Sequence, residues 1–503
     1  MSEKTILIIG TGIAALSAAY VLSKDSNYNI VMIECENTVG GLAKTYETNG
    51  MKYDIGPHRY FSKDERIFSF WGEILGYQGK PAKDDIILER DILNPRGEHD
   101  PETEDKVMLK RRRFSRIYYK NKFYDYPVKI NLNTILNMGI FQTIKCGFSY
   151  LKSCVIKLPE NNLEKFMINR FGRVLYETFF EFYTQKVWGR HPNTISKEWG
   201  SQRIKGLSLI KAVLSKFSLK KETSLIEEYY YPKFGSGQIC NELANAIKAN
   251  GGQIYLNSRV VGLKVNNNHI ESLQIKNSEG EYSLSGDYII SSMPVKDLIN
   301  SMDNCPERIR EIASDLPYRD YQLISFKVKD FNLKNQTDWK TIGNICPDSW
   351  IYIQDREVRV GRIYIPKNFS PYLSNDVNDT LISMEYFCSE GDELWNMTDE
   401  EIFNFGADEL IKLKALKDKN DIISTDRIKI EKAYPAYFDS YKYFDEVKEY
   451  INSIDNICCI GRNGQHRYNN LDQSTLCGIE AANVIINNKD KKNLWNVTTE
   501  SGY

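Results

Sequence analysis

The start of the chain carries the pattern that most constrains its fold. Residues 5–9 are a short apolar run, as expected of a strand buried on both faces. A turn follows in which Gly10, Gly12 and Ala15 occupy the three small positions, and the turn opens a helical stretch. A second apolar run then ends at Glu34. Strand, glycine turn, helix, strand and acid in this order predict a βαβ unit that binds a dinucleotide.

Each residue of this turn has a geometric reason to be there. Gly10 permits the tight turn, Gly12 lets the backbone approach a pyrophosphate, and Ala15 still allows close packing of helix on strand. The N–H groups at the helix N-terminus attract the phosphates. Glu34 is placed to accept hydrogen bonds from the ribose hydroxyls. The alternative is a tight turn in a βαβ unit that binds no ligand.

The segments that follow favour FAD over NAD as the dinucleotide. A second glycine pair, Gly40 and Gly41, lets the chain pass close to a long, extended cofactor. A predicted strand then leads to Gly56 and His58. Near the C-terminus, Gly461 again stands between a buried apolar run and a helix, where the polar edge of a flavin could rest. We therefore expect a bound FAD.

Charge and cysteine usage narrow the class of protein. The chain has 503 residues, and its 66 basic and 67 acidic residues leave a net charge of −1, so no overall field would attract nucleic acid or an anionic membrane. Its 10 cysteines contain no CxxC pair, no metal cluster is evident, and the pattern is typical of a reducing compartment. We see no signal peptide and no membrane-spanning run. The expectation is a cytoplasmic protein without a metal or a membrane span, and a homo-oligomer is compatible with it.

Segments of α/β character recur at both ends and in the middle of the chain, with other kinds of segment between them. We expect an α/β fold whose Rossmann-like, FAD-binding domain is assembled from discontinuous pieces. The basic run at 110–113 is interpreted as a solvated loop. The predicted units are the FAD-binding domain (1–78, 222–295 and 425–490), an inserted loop plus a helical region that caps the substrate (79–221), an antiparallel-sheet substrate domain (296–424) and a polar tail (491–503).

Together these segments resemble the UDP-galactopyranose mutase family, a branch of the superfamily that holds amine oxidases and protoporphyrinogen oxidases. The resemblance covers most of the chain, except residues 79–113 and the tail. Residues 58–61 and 466–470 differ from the well-studied mutases and read like a sister group, so the sugar and the nucleotide stay open. The resemblance is carried by segments in the family's order at 54–58, 186–188, 199–203, 232–237, 350–372, 433–435 and 461–474.

The resemblance implies a role for each of a set of residues. Arg203 and Arg362 would bind the diphosphate of a nucleotide sugar, and with His58 near the flavin they form the predicted catalytic set. The register of Arg362 is open by two residues, because Arg356 and Arg359 stand close by. The alternatives are a helix-surface ion pair for Arg203, an exposed strand position for Arg362 and a turn histidine bonded to a carbonyl for His58. Predicted substrate contacts also include Tyr352, Tyr434 and Tyr468, and predicted cofactor contacts also include Val260, Arg462, Asp472, Gln473 and Ser474.

The activity implied by the resemblance is a mutase that interconverts the pyranose and furanose forms of a nucleotide-diphosphate sugar, for cell-surface polysaccharide biosynthesis. It would use FAD in the reduced form, with N5 as the nucleophile and NAD(P)H as a possible reductant. Paired arginines and tyrosines without a conventional base suit such a reaction. One alternative is an FAD-dependent oxidoreductase related to amine oxidases, protoporphyrinogen oxidases or desaturases, whose site would be apolar or aromatic-caged. Another is a non-catalytic FAD-binding protein.

Overall fold

A computed structural model of the chain describes residues 4–92, 94–126, 128, 131–197 and 228–497. The predicted substrate residue Arg203 lies outside the described residues.

The strands are β1 (Lys4–Ile9), β2 (Tyr28–Ile33), β3 (Thr45–Thr48), β4 (Met51–Asp54), β5 (Gly76–Tyr77), β6 (Val107–Arg112), β7 (Ser115–Tyr119), β8 (Lys122–Asp125), β9 (Glu228–Pro232), β10 (Gln253–Tyr255), β11 (Arg259–Asn266), β12 (His269–Asn277), β13 (Gly280–Leu284), β14 (Tyr288–Ser291), β15 (Tyr318–Val328), β16 (Trp350–Ile353), β17 (Arg362–Tyr364), β18 (Thr380–Cys388), β19 (Ile422–Pro435) and β20 (Ile457–Cys459). The α-helices are α1 (Ile13–Ser23), α2 (Glu65–Ile74), α3 (Lys83–Ile87), α4 (Leu132–Met138), α5 (Ile140–Val155), α6 (Leu163–Phe171), α7 (Arg173–Phe179), α8 (Glu181–Trp188), α9 (Gly237–Ala249), α10 (Val295–Asn300), α11 (Glu307–Ser314), α12 (Glu393–Asn396), α13 (Asp399–Lys412), α14 (Phe444–Ser453), α15 (Gly461–Gly464) and α16 (Leu471–Ile486). Short 3-10 helices cover Gly41–Ala43, Pro192–Thr194, Ile342–Asn344, Pro366–Asn368, Pro371–Leu373, Lys419–Asp421, Asp439–Tyr443 and Lys491–Asn496.

A five-stranded parallel sheet confirms the predicted Rossmann-like fold. Its strand order is β10-β2-β1-β14-β20, so strands from the two ends and the middle of the chain lie side by side. Helices α1, α9 and α16 cover one face of this sheet. The small sheet β11-β12-β13 and helices α10, α11 and α14 cover the other. Both faces are therefore buried, which explains why the central strands read as continuous apolar runs.

A seven-stranded sheet forms the second large layer. Its order is β19-β15-β18-β17-β16-β7-β8, and all neighbours are antiparallel except β16 and β7. Strands β7 and β8 enter it from the region expected to be an insertion, and β19 from a segment expected to belong to the cofactor domain. The domain boundaries themselves stay a prediction. Among the described residues, no helix is both long enough and apolar enough to cross a bilayer.

The interpretation of the basic run at 110–113 as a solvated loop is wrong. Most of this run belongs to β6, which lies between β5 and β9. Arg111 is buried, and its guanidinium lies 3.1 Å from Asp84 and 3.4 Å from Asp85 while donating to the carbonyl of Phe369 at 2.9 Å. The charge is tolerated inside because two carboxylates compensate it. Sequence composition alone does not reveal that pairing.

Helices α1 and α16 approach each other to backbone contact. A Cβ atom built at Gly478 in α16 would lie 2.1 Å from the carbonyl oxygen of Ala14 and 3.0 Å from Cβ of Ser17, both in α1. The absence of a side chain at Gly478 therefore sets the distance between the two helices. Because α1 starts at the predicted dinucleotide turn, this contact also positions that turn.

The burial of His466 predicts that the protein loses stability as the pH falls. Its imidazole is fully buried among the rings of Tyr318, Tyr441 and Phe444, and Nε2 donates to the carbonyl of Ala436 at 3.0 Å. Burial lowers the pKa of His466 to about 4, so the unfolded chain binds a proton at a higher pH than the folded protein. The contribution of neutral His466 to the free energy of unfolding is fully present above the ordinary histidine pKa of about 6.5. About 3 kcal/mol of the free energy of unfolding is lost as the pH falls from there towards 4.

The test compares urea unfolding of the wild type and His466→Gln at several pH values. Glutamine can still donate to Ala436 but does not titrate, so the stability difference between the two proteins should shrink as the pH falls. His99→Gln, at an exposed histidine, is the matched control. Parallel pH profiles for the wild type and His466→Gln would contradict the assignment.

Candidate functional site

Two glycine segments lie side by side at the predicted dinucleotide turn. Gly10 has a φ of +92°, which explains the need for glycine there. A Cβ at Gly12 would meet no atom within 4 Å, so open space faces the N-terminus of α1. Gly40 donates its N–H to the carbonyl of Thr11 at 2.9 Å, and a Cβ at Gly41 would lie 3.2 Å from Cα of Gly12. This backbone cradle fits an extended pyrophosphate.

Glu34 stands at the C-terminal end of β2, beside that cradle. Its Oε2 accepts from N and Oγ1 of Thr11 at 2.9 and 2.7 Å, and its Oε1 accepts from N of Glu36 at 3.0 Å. The last of its roughly four acceptor positions holds only the weak thiol donor of Cys35, 3.4 Å from Oε1, which a ribose hydroxyl can replace. Ser258 donates to the Glu34 carbonyl at 2.8 Å and brings β11 close. The side chain of Val260 in β11 is buried in the core.

The C-terminal glycine turn meets the first one. Gly461, with a φ of +74°, opens α15, and a Cβ there would lie 3.1 Å from Cβ of Ala14. Ala15 beside it is fully buried, as close packing requires. The structure thus brings the N-termini of α1 and α15 together, although more than 400 residues separate them in the chain. Distant turns that share one edge of a parallel sheet are typical of a dinucleotide site.

The first turn of α16 completes this region. Asp472 and Ser474 are buried there, and burial raises the pKa of Asp472 to about 7. Gln473 caps the helix, because its Oε1 accepts from N of Asn470 at 2.9 Å. Both polar side-chain atoms of Asn469 are buried without a hydrogen-bond partner among the described residues. An amide in that state is suited to a ligand's polar edge.

Arg462 holds the backbone of the site together. Its guanidinium donates to the carbonyls of Ala433 at 3.1 Å and of Asn469 at 2.9 and 3.1 Å. It also lies 4.5 Å from the ring centre of Tyr468. These contacts use most of its donors, so the visible role of Arg462 is to position Tyr468 and Asn469. Its predicted contact with the cofactor stays a prediction.

His58 is oriented by a buried aspartate. Asp54 is fully buried, and its oxygens accept from Oγ1 of Thr45 at 2.6 Å, from N of Ser236 at 3.0 Å and from the hydroxyl of Tyr231 at 2.8 Å. Nδ1 of His58 lies 3.3 Å from Oδ2 of Asp54. Such a carboxylate restricts the orientation of the imidazole ring. Asp54 was expected only as part of the segment before the histidine.

Arg362 forms a buried ion pair with a residue that sequence reasoning missed. The strand register places Arg362 of β17 opposite Glu385 of β18, and Nε donates to Oε2 of that glutamate. Nη2 donates to the hydroxyl of Tyr434 at 2.9 Å. The two nearby alternatives, Arg356 and Arg359, are exposed. The register left open by the sequence is thereby resolved, and it puts Arg362 inside the protein.

Glu385 connects this pair to the histidine segment. Its side chain is fully buried, and Oε1 has no hydrogen-bond partner among the described residues. That oxygen lies 3.2 Å from the position of a Cβ at Gly56. Burial raises the pKa of Glu385, while the charge of Arg362 opposes the rise. A signal was present in the sequence, because Glu385 is the single acid in the apolar run of β18.

The predicted tyrosines divide into two groups. Tyr434 and Tyr468 stack with ring centres 5.5 Å apart and an angle of 10°. Burial raises the pKa of Tyr434 to about 12, so its phenol stays protonated at neutral pH. Tyr352 lies opposite Arg362 in the neighbouring strand, and its ring contacts Tyr126 at 4.4 Å and Tyr183 at 5.6 Å. Arg362, Tyr434 and Tyr468 therefore form one cluster, and Tyr352 borders it.

Two further arginines lie near these aromatic rings. Arg59 lies 4.8 Å from the ring centre of Trp350, and its buried Nη1 has no hydrogen-bond partner among the described residues. Burial, together with the charge of Arg113, lowers the pKa of Arg59. Arg113, the second arginine, lies 5.9 Å from the ring centre of Tyr126, and its Nε donates to Oγ of Ser115 at 3.2 Å. Positive charge is thus less compensated at Arg59 than at Arg362. The position of Arg59 directly after His58 was the only hint in the sequence.

Parts of the sequence match a known domain family and several curated proteins. Residues 8–74 match the NAD(P)-binding Rossmann-like domain family. A coproporphyrinogen III oxidase of Staphylococcus aureus is 31% identical over 205 residues, which are 38% of this chain and 38% of that protein. A carotenoid 3,4-desaturase of Haloarcula japonica is 33% identical over 75 residues, or 14% of this chain and 15% of that protein. The chain thus matches well under two thirds of the length of either relative.

Solved structures match over nearly the whole chain. A crystal structure of reduced UDP-galactopyranose mutase has a TM-score of 0.77 at 19% identity, covering 99% of this chain and 96% of that one. A putative protoporphyrinogen oxidase from Exiguobacterium sp. 255-15 has a TM-score of 0.67 at 15% identity, covering 97% and 100%. At such identities the likeness shows the fold. Together with the sequence relatives, it supports a flavin-dependent enzyme of the FAD-dependent oxidoreductase-like superfamily.

Proposed function

We propose that this protein is an FAD-dependent mutase that interconverts the pyranose and furanose forms of a nucleotide-diphosphate sugar. The observation that carries the proposal is the cluster of Arg362, Tyr434 and Tyr468, joined through Glu385 to the His58 segment. Guanidinium and phenol groups that converge in this way can bind and stabilise a diphosphate. The likeness in fold to a reduced UDP-galactopyranose mutase supports the same function.

The described residues fit an FAD. The cradle at Gly12 and Gly41 would take the pyrophosphate, Glu34 the ribose, and the amide of Asn469 a polar edge of the flavin. In its reduced form, an FAD bound here would supply the nucleophile for the anomeric carbon of the sugar. The protein's part would then be to position the substrate and to stabilise the departing diphosphate.

The residues of the cluster would divide that work. Glu385 holds Arg362 at a fixed register, and Arg362 keeps its remaining N–H groups for phosphate oxygens. The protonated phenol of Tyr434 can donate to the same oxygens. Glu385 compensates much of the charge of Arg362. We therefore assign the positive charge that would balance a diphosphate to Arg59 and Arg113, together with Arg203, which lies outside the described residues. This division requires no general base.

An oxidoreductase is the second candidate. It is favoured by the curated relatives, which are oxidases and desaturases and whose identity to the chain is higher than that of the solved structures. The two relatives described above match 38% and 14% of the chain, however, whereas the arginine- and tyrosine-rich cluster lies on the antiparallel sheet. The expectation for that class is an apolar or aromatic-caged site without paired arginines for phosphate. The mutase therefore remains our proposal.

The deciding experiment gives the FAD-loaded protein a panel of nucleotide-diphosphate sugars, with and without dithionite. We expect ring isomers, separated by chromatography, only after reduction, and turnover that consumes no oxidant. Tyr434→Phe should lower kcat/KM roughly tenfold or more, since a hydrogen bond to a charged group contributes about 1.5–3 kcal/mol. Tyr255→Phe, at an exposed tyrosine of β10, is the matched control and should behave as the wild type.

Two outcomes of this experiment would contradict the mutase proposal. If the oxidised protein turns over, and product forms in step with flavin bleaching or oxygen consumption, the protein is an oxidoreductase. If no panel member is isomerised by the reduced protein or binds to it, the nucleotide-sugar assignment is wrong.

A further inference from the structure

Helix α5 exposes an apolar surface of unusual extent. Six large apolar side chains along it are between 49% and 84% exposed. They are Ile140, Phe141, Ile144, Phe148, Leu151 and Val155, and we call this surface the α5 face. Single exposed apolar residues are normal, but a contiguous set of this size marks an interaction surface in a soluble domain.

The apolar side of helix α5 faces solvent rather than the rest of the protein. The spacing of Ile140, Ile144, Phe148, Leu151 and Val155 puts them in one stripe along the helix. The opposite side packs against α6 and α7. Its Ser149 accepts from N of Val174 at 3.1 Å, and a Cβ at Gly172 would lie 2.7 Å from N of Tyr150. Packing within the protein therefore does not account for the apolar stripe.

The charges on the segment that carries the stripe have one sign. Lys145 and Lys152 are exposed, and each follows a residue of the stripe by one position, about 100° around the helix. Residues 132–157 contain no aspartate or glutamate. An apolar stripe flanked by lysines is typical of a helix that lies in the plane of a membrane interface, where lysines reach the phosphate groups.

We propose that the α5 face docks on the surface of an anionic lipid bilayer. A second copy of this chain would bring two rows of lysines together without an acid in the segment to compensate them, whereas an anionic bilayer satisfies both the stripe and the charges. At about 1.5 Å per residue, the 16 residues of α5 can lie along such a surface for about 24 Å. The net charge of −1 means that the attraction is local to this face.

Flotation of the full chain with phosphatidylcholine vesicles, with and without phosphatidylglycerol, tests this inference. We expect the protein to float with the anionic vesicles. The double variant Phe141→Ser/Phe148→Ser should bind them far more weakly, by roughly tenfold per phenylalanine. The matched control is Ile86→Ser/Ile423→Ser, which removes two exposed apolar side chains elsewhere and should bind as the wild type does.

The charge is tested in the same way. Lys145→Gln and Lys152→Gln should each weaken binding to anionic vesicles roughly fivefold, because a lysine near such a surface contributes about 1 kcal/mol. Lys417→Gln, at an exposed lysine outside the face, should have no effect. Thermal unfolding of every variant should match that of the wild type, because all the substituted side chains are exposed.

Two results would overturn the proposal. One is that the wild type does not float with vesicles of either composition. The other is a dimer that the serine variants dissociate while no vesicle binding occurs, which would assign the α5 face to a second copy of this chain.

Discussion

Replacing Gly478 by alanine should destabilise the protein by about 3 kcal/mol or more. The added methyl group would lie 2.1 Å from the carbonyl oxygen of Ala14, and backbone atoms cannot rotate out of the way as a side chain can. Helices α1 and α16 would have to separate, and the glycine turn before α1 would move with them. Urea unfolding of the apoprotein should report the loss, and the variant should also release FAD more readily.

Gly147→Ala is the matched control for this result. Gly147 lies within α5, and a Cβ there would meet no atom within 4 Å. The same added methyl should therefore be neutral or stabilising by up to about 1 kcal/mol, through the helix propensity of alanine. If the two variants unfold at the same urea concentration, the contact between α1 and α16 is looser than described.

Replacing Glu385 by leucine should destabilise the protein by about 3–5 kcal/mol, because it leaves the guanidinium of Arg362 buried without its carboxylate. Arg362 cannot lose its proton to escape this, since arginine stays charged in proteins. Arg362→Met should cost less, because the remaining Glu385 can bind a proton and become neutral. The measurement is urea unfolding of both single variants and of the double variant.

Two further results follow from the same reasoning. The double variant Glu385→Leu/Arg362→Met should recover most of the stability lost in Glu385→Leu, because no buried charge is left. The stability that Arg362→Met loses relative to the wild type should become smaller as the pH falls towards the ordinary pKa of glutamate. At that pH the folded variant readily binds the proton that neutralises Glu385. Strictly additive effects of the two single variants would show that the pair is not coupled.

Local sequence patterns sufficed for much of the cofactor half of the molecule. The turn at Gly10 and Gly12, the acid at Glu34 and the turn at Gly461 each follow a buried strand, and each depends on conformations that a few adjacent residues dictate. The parallel sheet follows from such units, since each apolar run predicts a strand buried on both faces. The basic run at 110–113 failed as a prediction because burial of Arg111 depends on Asp84 and Asp85, which lie on another element.

The sequence by itself determined the glycine turns and the central strands. Only the tertiary structure decided which arginine is buried, because the register between β17 and β18 pairs Arg362 with Glu385 and leaves Arg359 exposed. It also decided which side of α5 faces solvent. The physical reason is the same in both cases. A turn is governed by the torsional freedom of neighbouring residues, whereas the environment of a buried charge or an apolar stripe is set by partners far away in the chain.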